Sequence, residues 1–209
     1  MANILHILAS PRPESYSTRV ANAFLGAYRR AHPQDTVETL DLFKAEIPPF
    51  TAPQAKAKYA VMAGQTPRSD AEVAWREVIH VIDHFKKFDK YVLSSGMWNF
   101  GIPYRLKQYV DVIVQPGLTF AYSPEKGYAG LVVGKPLMLV LARGGKYGPG
   151  NPAETYDFQE SYLRCIFGFM GFTDIRSVQV QGTSSNKPDQ VEAVLRQALE
   201  EASAGAKQF

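Results

Sequence analysis

Apolar and polar positions along the chain alternate between two patterns. Apolar runs of strand length occupy residues 4–9, 91–95 and 136–142, and weaker ones occupy 36–42 and 174–180. Between them, apolar residues recur at helical spacing. Residues 18–30 place Val20, Ala21, Phe24, Leu25 and Tyr28 on one face, with Ser17 as the expected N-cap. Residues 53–63 form an alanine-rich helix. Asp70 is expected to cap a stronger helix over 71–88, whose stripe is Val73, Ala74, Val78, Val81, Ile82 and Phe85. A further helix carries Leu106, Tyr109, Val110, Ile113 and Val114. Residues 117–134 read as irregular, 156–170 as an apolar helix, and 188–202 as a final amphipathic helix. The tail, 202–209, is expected to fray.

Five strands thus alternate with helices, six in all. The central strands are apolar throughout, so both of their faces are covered, which predicts a parallel sheet wrapped by helices. Right-handed crossovers then give a doubly wound α/β sandwich of three layers. No repeat, linker or charge block divides the chain, so residues 1–209 read as one domain. Sheets of this kind bind ligands beyond the carboxyl ends of the strands. The segments to inspect are therefore the loops after the first, third and fourth strands.

Composition narrows the chemistry. The chain has 45% hydrophobic and 21% charged residues, as expected of a globular protein. A single cysteine, Cys165, excludes a disulfide framework and a multi-cysteine metal site. A net charge of +3 is too small to imply nucleic acid. No apolar run approaches membrane length. The first residues lack a basic stretch and a signal-like apolar core, which predicts a cytoplasmic protein. The 25 aromatic residues serve a core or a flat ligand equally well.

The first loop, Ser10-Pro-Arg-Pro-Glu-Ser15-Tyr16-Ser17, sets hydroxyls around a helix N-terminus without a Walker lysine. Free amides and the helix dipole make that an anion site, although Ser17 as a simple cap explains it as well. The second loop, Gly96-Met97-Trp98-Asn99-Phe100-Gly101, puts large apolar side chains where a solvent-facing turn is expected. A flat heterocycle can lie there, with Asn99 and the backbone at its polar edge. The third, Ala142-Arg143-Gly144-Gly145, is either a small nest of amides or a plain turn.

Taken in order, Ser10, Ser15-Tyr16-Ser17, Met97-Trp98-Asn99-Phe100 and Arg143-Gly144-Gly145 resemble the FMN-dependent NADH azoreductases, which are also NADH:quinone oxidoreductases. The resemblance extends to the segments 106–111, 117–120 and 168–174. It implies a flavodoxin-like fold with strand order 2-1-3-4-5 and a homodimer with flavin at the interface. By the same resemblance, Ser10, Ser15, Tyr16 and Ser17 hold the FMN phosphate. Met97, Trp98, Asn99 and Phe100 line the isoalloxazine, and Ala142, Arg143, Gly144 and Gly145 contact its pyrimidine side. Phe120, Tyr122, Ile166 and Phe167 shape the substrate pocket. Trp98 stands where tyrosine is commoner, Gly96 where proline is, and Ala142 where serine is; these departures bear on substrate range.

The implied chemistry is hydride transfer from NADH or NADPH to flavin, then from flavin to a quinone or azo acceptor. The ring does that chemistry, so no side chain need be a nucleophile or base. A flavodoxin-type electron carrier is the rival, and the positive net charge argues against it. Arg12 and Arg143 are either solvated or close to the cofactor and the subunit boundary. Cys165 reads as a buried small hydrophobe and His6 as a packed strand residue. His80 and His84 are one helical turn apart, but no third ligand accompanies them, so they read as helix surface.

Overall fold

The computed structural model describes residues 1–148 and 150–209. Pro149, part of the glycine-dense loop after the fourth predicted strand, lies outside the described residues. The elements are β1 (Asn3–Ala9), α1 (Tyr16–Ala31), β2 (Thr36–Asp41), α2 (Ala52–Met62), α3 (Asp70–Lys86), β3 (Lys90–Gly96) and α4 (Tyr104–Ile113). They continue with β4 (Phe120–Ser123), β5 (Gly127–Gly130), β6 (Leu137–Ala142), α5 (Glu160–Met170), β7 (Ile175–Val180) and α6 (Pro188–Gly205).

Five strands form a parallel sheet in the order β2-β1-β3-β6-β7. This is the expected 2-1-3-4-5 topology, with β4 and β5 inserted as a separate antiparallel hairpin. Strand alternation sends consecutive side chains to opposite faces. Leu5, Ile7, Leu93, Leu139 and Leu141 pack with Val78, Ile82 and Phe85 of α3 and with helices α4 and α5. Ile4, Val92, Met138, Val140 and Val178 pack with α1 and α6. The sheet therefore lies between two helical layers.

Several local expectations are corrected. The cap of α1 is Ser15 rather than Ser17: Ser15 Oγ accepts from the amide of Thr18 at 3.2 Å. The cap of α3 is Ser69, and Asp70 is its first residue, with Oδ1 accepting from its neighbour Ala71. Val73 is exposed rather than part of the α3 stripe. Residues 117–134 hold the β4–β5 hairpin, which reaches α5 because Gly130 lies directly against the backbone of Gly171. The helix expected over 156–170 starts at Glu160, whose amide donates to Asp157 Oδ1 at 3.1 Å. Cys165 is exposed on α5. His6 is buried as expected, with Nε2 2.9 Å from Ser94 Oγ.

The C-terminal tail does not fray. A short 3₁₀ turn, Ala206–Gln208, follows α6, and the Phe209 ring is buried edge-on against Phe24 at 5.3 Å. Lys90 Nζ donates to the main-chain oxygen of Phe209 at 2.6 Å, and Arg176 donates to that of Gln208. Among the described residues, no helix is long and apolar enough to cross a membrane.

Candidate functional site

Strand pairing brings the three loops to one edge. Ala9 is level with Ser95, and Gly96 is level with Ala142, so β1, β3 and β6 end side by side. The order in which strands are added reverses here, since β2 lies on one side of β1 and β3 on the other, while all strands stay parallel. That is the crevice where doubly wound sheets take ligands.

The first loop supplies a hydroxyl cluster. Ser10, Ser15, Ser17 and Thr18 are all buried at the start of α1. Ser15 Oγ lies 2.7 Å from Thr18 Oγ1 and 3.4 Å from Ser17 Oγ. The amides of Tyr16 and Ser17 open the helix and have no intrahelical acceptor. No acidic residue lies in the first turn, so the positive dipole end is uncompensated. Arg12 is exposed on this loop. A dianion finds hydroxyl donors, free amides and a favourable field here.

The second loop is a tight two-residue turn. Trp98 and Gly101 exchange both backbone hydrogen bonds, at 3.0 and 2.9 Å. Asn99 and Phe100 at its tip have φ of 47° and 67°. Asn tolerates that region, but for a bulky phenylalanine it is strained, and such strain concentrates at ligand sites. The amide of Met97 is held by the Ala142 carbonyl at 2.8 Å, which locks this loop to the third. A Cβ placed on Gly96 would meet nothing within 4 Å, so the space above that backbone is open to a ligand.

The third loop turns its carbonyls away from the crevice. Arg143 O accepts from the Thr183 amide at 3.1 Å, Gly144 O from Ser184 and Ser185, and Gly145 O from Gly182. Among the described residues, the amides of Gly144 and Gly145 donate to no protein acceptor, which leaves two adjacent donors for a ligand edge. The Arg143 side chain, in contrast, is only 1% exposed and points into the protein. It donates to Asp157 at 2.6 Å, Glu160 at 3.2 Å and Gln159 at 3.3 Å. Of the two readings left open for Arg143, solvation is thus excluded, and its contribution to the crevice is its backbone.

Aromatic side chains flank both sides of the second loop. Trp98 lies near Phe43 and Tyr104, with ring centres about 6 Å apart. Phe100 stacks on Tyr156 at 5.2 Å and meets Tyr147 edge-on. A cavity of about 740 Å³ opens beside Trp98, Asn99 and Phe50. A second, of about 400 Å³, adjoins Tyr16, Arg19 and Thr183.

The expected substrate residues fall on β4 and on α5, against which the hairpin packs. Phe120 packs on Phe169 at 4.7 Å within the hairpin region, and Tyr122 is exposed there. Ile166 is half-buried. Phe167 is corrected: it is fully buried in the core and offers a substrate no surface. The residues missed from sequence are Tyr156, Asp157, Gln159 and Glu160. The assumption of one continuous helix over 156–170 hid them, although the acidic residues near an unplaced Arg143 were a usable signal.

These features fit a ligand with a dianion at one end and a flat, edge-polar ring at the other. A flavin-type nucleotide has that shape, and the sheet that presents the crevice is doubly wound α/β. A family model described as having a flavodoxin-like fold matches residues 2–205. A Nitratidesulfovibrio vulgaris protein named FMN-dependent NADH:quinone oxidoreductase is 49% identical over 210 residues, covering 100% of both chains. A Desulfotalea psychrophila protein of the same name is 42% identical, covering 100% of this chain and 98% of the other. The crystal structure of an azoreductase from Bacillus anthracis superposes with a TM-score of 0.91 at 33% identity, covering 100% of each chain. An FMN-dependent NADH-azoreductase of B. anthracis in complex with FMN gives 0.88 at 27% identity, covering 100% and 99%. The chain belongs to this flavodoxin-like family, among the FMN-dependent NADH:quinone oxidoreductases.

Proposed function

We propose that residues 1–209 act as one FMN-binding domain that passes two electrons from NADH to quinones and azo compounds. One observation carries the reading. Three adjacent strand ends present a hydroxyl-and-amide cradle, a strained aromatic turn and two free glycine amides. They do so in a chain 49% identical, end to end, to a protein named FMN-dependent NADH:quinone oxidoreductase.

Each group has a stated part. The Tyr16 and Ser17 amides and the Ser10, Ser15 and Ser17 hydroxyls bind the phosphate, whose charge the α1 dipole stabilises. Met97, Trp98, Asn99 and Phe100 give the ring an apolar bed with a polar edge. The amides of Gly144 and Gly145, beside Ala142 and Arg143, donate to the pyrimidine side. When bound, FMN supplies hydride acceptance from NADH and hydride donation to the acceptor, in ping-pong order at one seat. The chain contributes position and fixed donors.

A second copy completes the substrate side. The exposed Tyr122, Tyr128, Leu131, Val133 and Phe158 support a homodimer, which light scattering in solution tests. The enzyme works in the cytoplasm.

The functional test is steady-state NADH oxidation with a simple benzoquinone, with and without added FMN. FMN-dependent turnover is expected. Its absence, with FMN bound, overturns the reading.

A further inference from the structure

We infer that the segment from Tyr156 to Glu160 is a strap that positions the second and third loops as one rigid seat, with Arg143 and Gln159 as its positioning residues. The inference rests on the FMN reading of the site. It concerns side chains that do not touch the crevice themselves.

Four contacts carry it. The amide of Phe158 donates to the Phe100 carbonyl at 3.1 Å, at the strained tip of the second loop. The Tyr156 ring stacks on Phe100. Gln159, fully buried, donates from Nε2 to the Ser95 carbonyl at 3.3 Å, where β3 ends. Its Oε1 accepts from Arg143 Nε, where β6 ends. One side-chain amide thus bridges the ends of two strands. Asp157 and Glu160 take the other two nitrogens of the same guanidinium.

The network extends further. Glu160 also accepts from Arg164, at 2.9 Å, and from Gln179. Gln181 donates to Gln179 at 2.7 Å and accepts from the Tyr147 amide at 2.7 Å. The strap therefore reaches the far end of the third loop through β7. The planar fork of arginine makes this geometry possible, because three of its nitrogens point at three fixed acceptors; the single ammonium of lysine cannot. The charges balance locally, with Arg143 and Arg164 against Asp157 and Glu160, so the guanidinium acts through geometry.

A flavin ring that contacts both loops needs them in register. Positioning errors well under an ångström weaken such contacts. The chain closes two loops onto one strap instead of relying on each loop alone.

The test uses two variants that strand no buried charge; the Arg164 left without Glu160 in the second is exposed. Gln159→Met keeps shape and leaves the ion pairs intact. The triple variant Arg143→Met, Asp157→Asn, Glu160→Gln removes the charge of Arg143 together with both carboxylates, so no strap carboxylate is stranded. FMN is removed and then titrated back while its fluorescence is followed, and the apoproteins are melted alongside. The expected result is at least a tenfold weaker FMN affinity in both variants, a displaced visible spectrum of the bound flavin, and an apoprotein melting temperature close to wild type for Gln159→Met. If the triple variant fails to fold, Gln159→Met alone decides. Wild-type affinity and spectrum in Gln159→Met overturn the strap. A wild-type protein that binds no FMN overturns the functional reading instead.

Discussion

His6 offers a quantitative test of the central sheet. It stands within β1, sealed by β2 and β3, with Ser94 Oγ 2.9 Å from Nε2. Burial, reinforced by the nearby Arg29 charge and partly opposed by Asp41, pulls its pKa from 6.5 to about 4. The unfolded chain regains the ordinary 6.5. Between those values the unfolded chain binds a proton that the folded one refuses. Stability is therefore full above the unfolded value and falls as pH drops towards the folded one. At 1.36 kcal/mol per pKa unit, the loss is about 2 kcal/mol by about pH 5 and about 3 kcal/mol by about pH 4. Urea denaturation of wild type and of His6→Gln, at about pH 7 and about pH 5, isolates the effect. The pH-independent cost of the substitution cancels when each protein is compared with itself. Wild type should lose about 2 kcal/mol more than the variant over that interval. Parallel losses in the two proteins would refute the reasoning.

Other predictions follow from single contacts. Phe209→Ala empties a buried aromatic site against Phe24 and Tyr28 and should cost about 3 kcal/mol in urea denaturation, where a frayed tail would cost almost nothing. Ser17→Ala removes a fully buried hydroxyl that does not cap α1. FMN affinity by fluorescence titration should fall roughly 10- to 100-fold, the worth of a charge-assisted hydrogen bond, with apoprotein stability nearly unchanged. Gly130→Ala would put a Cβ 2.2 Å from the Gly171 amide nitrogen, a backbone atom that cannot give way. The hairpin must lift from α5, at a cost of about 2–3 kcal/mol readable as a lowered urea midpoint.

The sheet was legible because its strands are apolar on both faces, and Leu5, Ile7 and Leu93 against Ile4 and Val92 carry the alternation themselves. The three loops were legible by place, since a parallel sheet directs ligands to its carboxyl ends. What was hidden depends on contacts distant in sequence. Phe158 bonds Phe100, and Gln159 bonds Ser95, across more than fifty residues. No periodicity reports such pairings, so a helix was read through Asp157, where tertiary contacts instead hold a strap. The hairpin was missed for a related reason: its strands are four residues each and find their apolar cover on α5. Phe209 looked like the end of a polar tail because its partners, Phe24 and Lys90, lie on α1 and β3. Ser17 was misassigned by two residues among several hydroxyls that could each have capped α1.

The most direct test of the account is a single turnover without oxygen. FMN-loaded protein is mixed with one equivalent of NADH, and benzoquinone is added afterwards. The yellow flavin colour is expected to bleach with NADH and to return in full with the quinone. A flavin that stays oxidised after NADH, or stays bleached after the quinone, would contradict it.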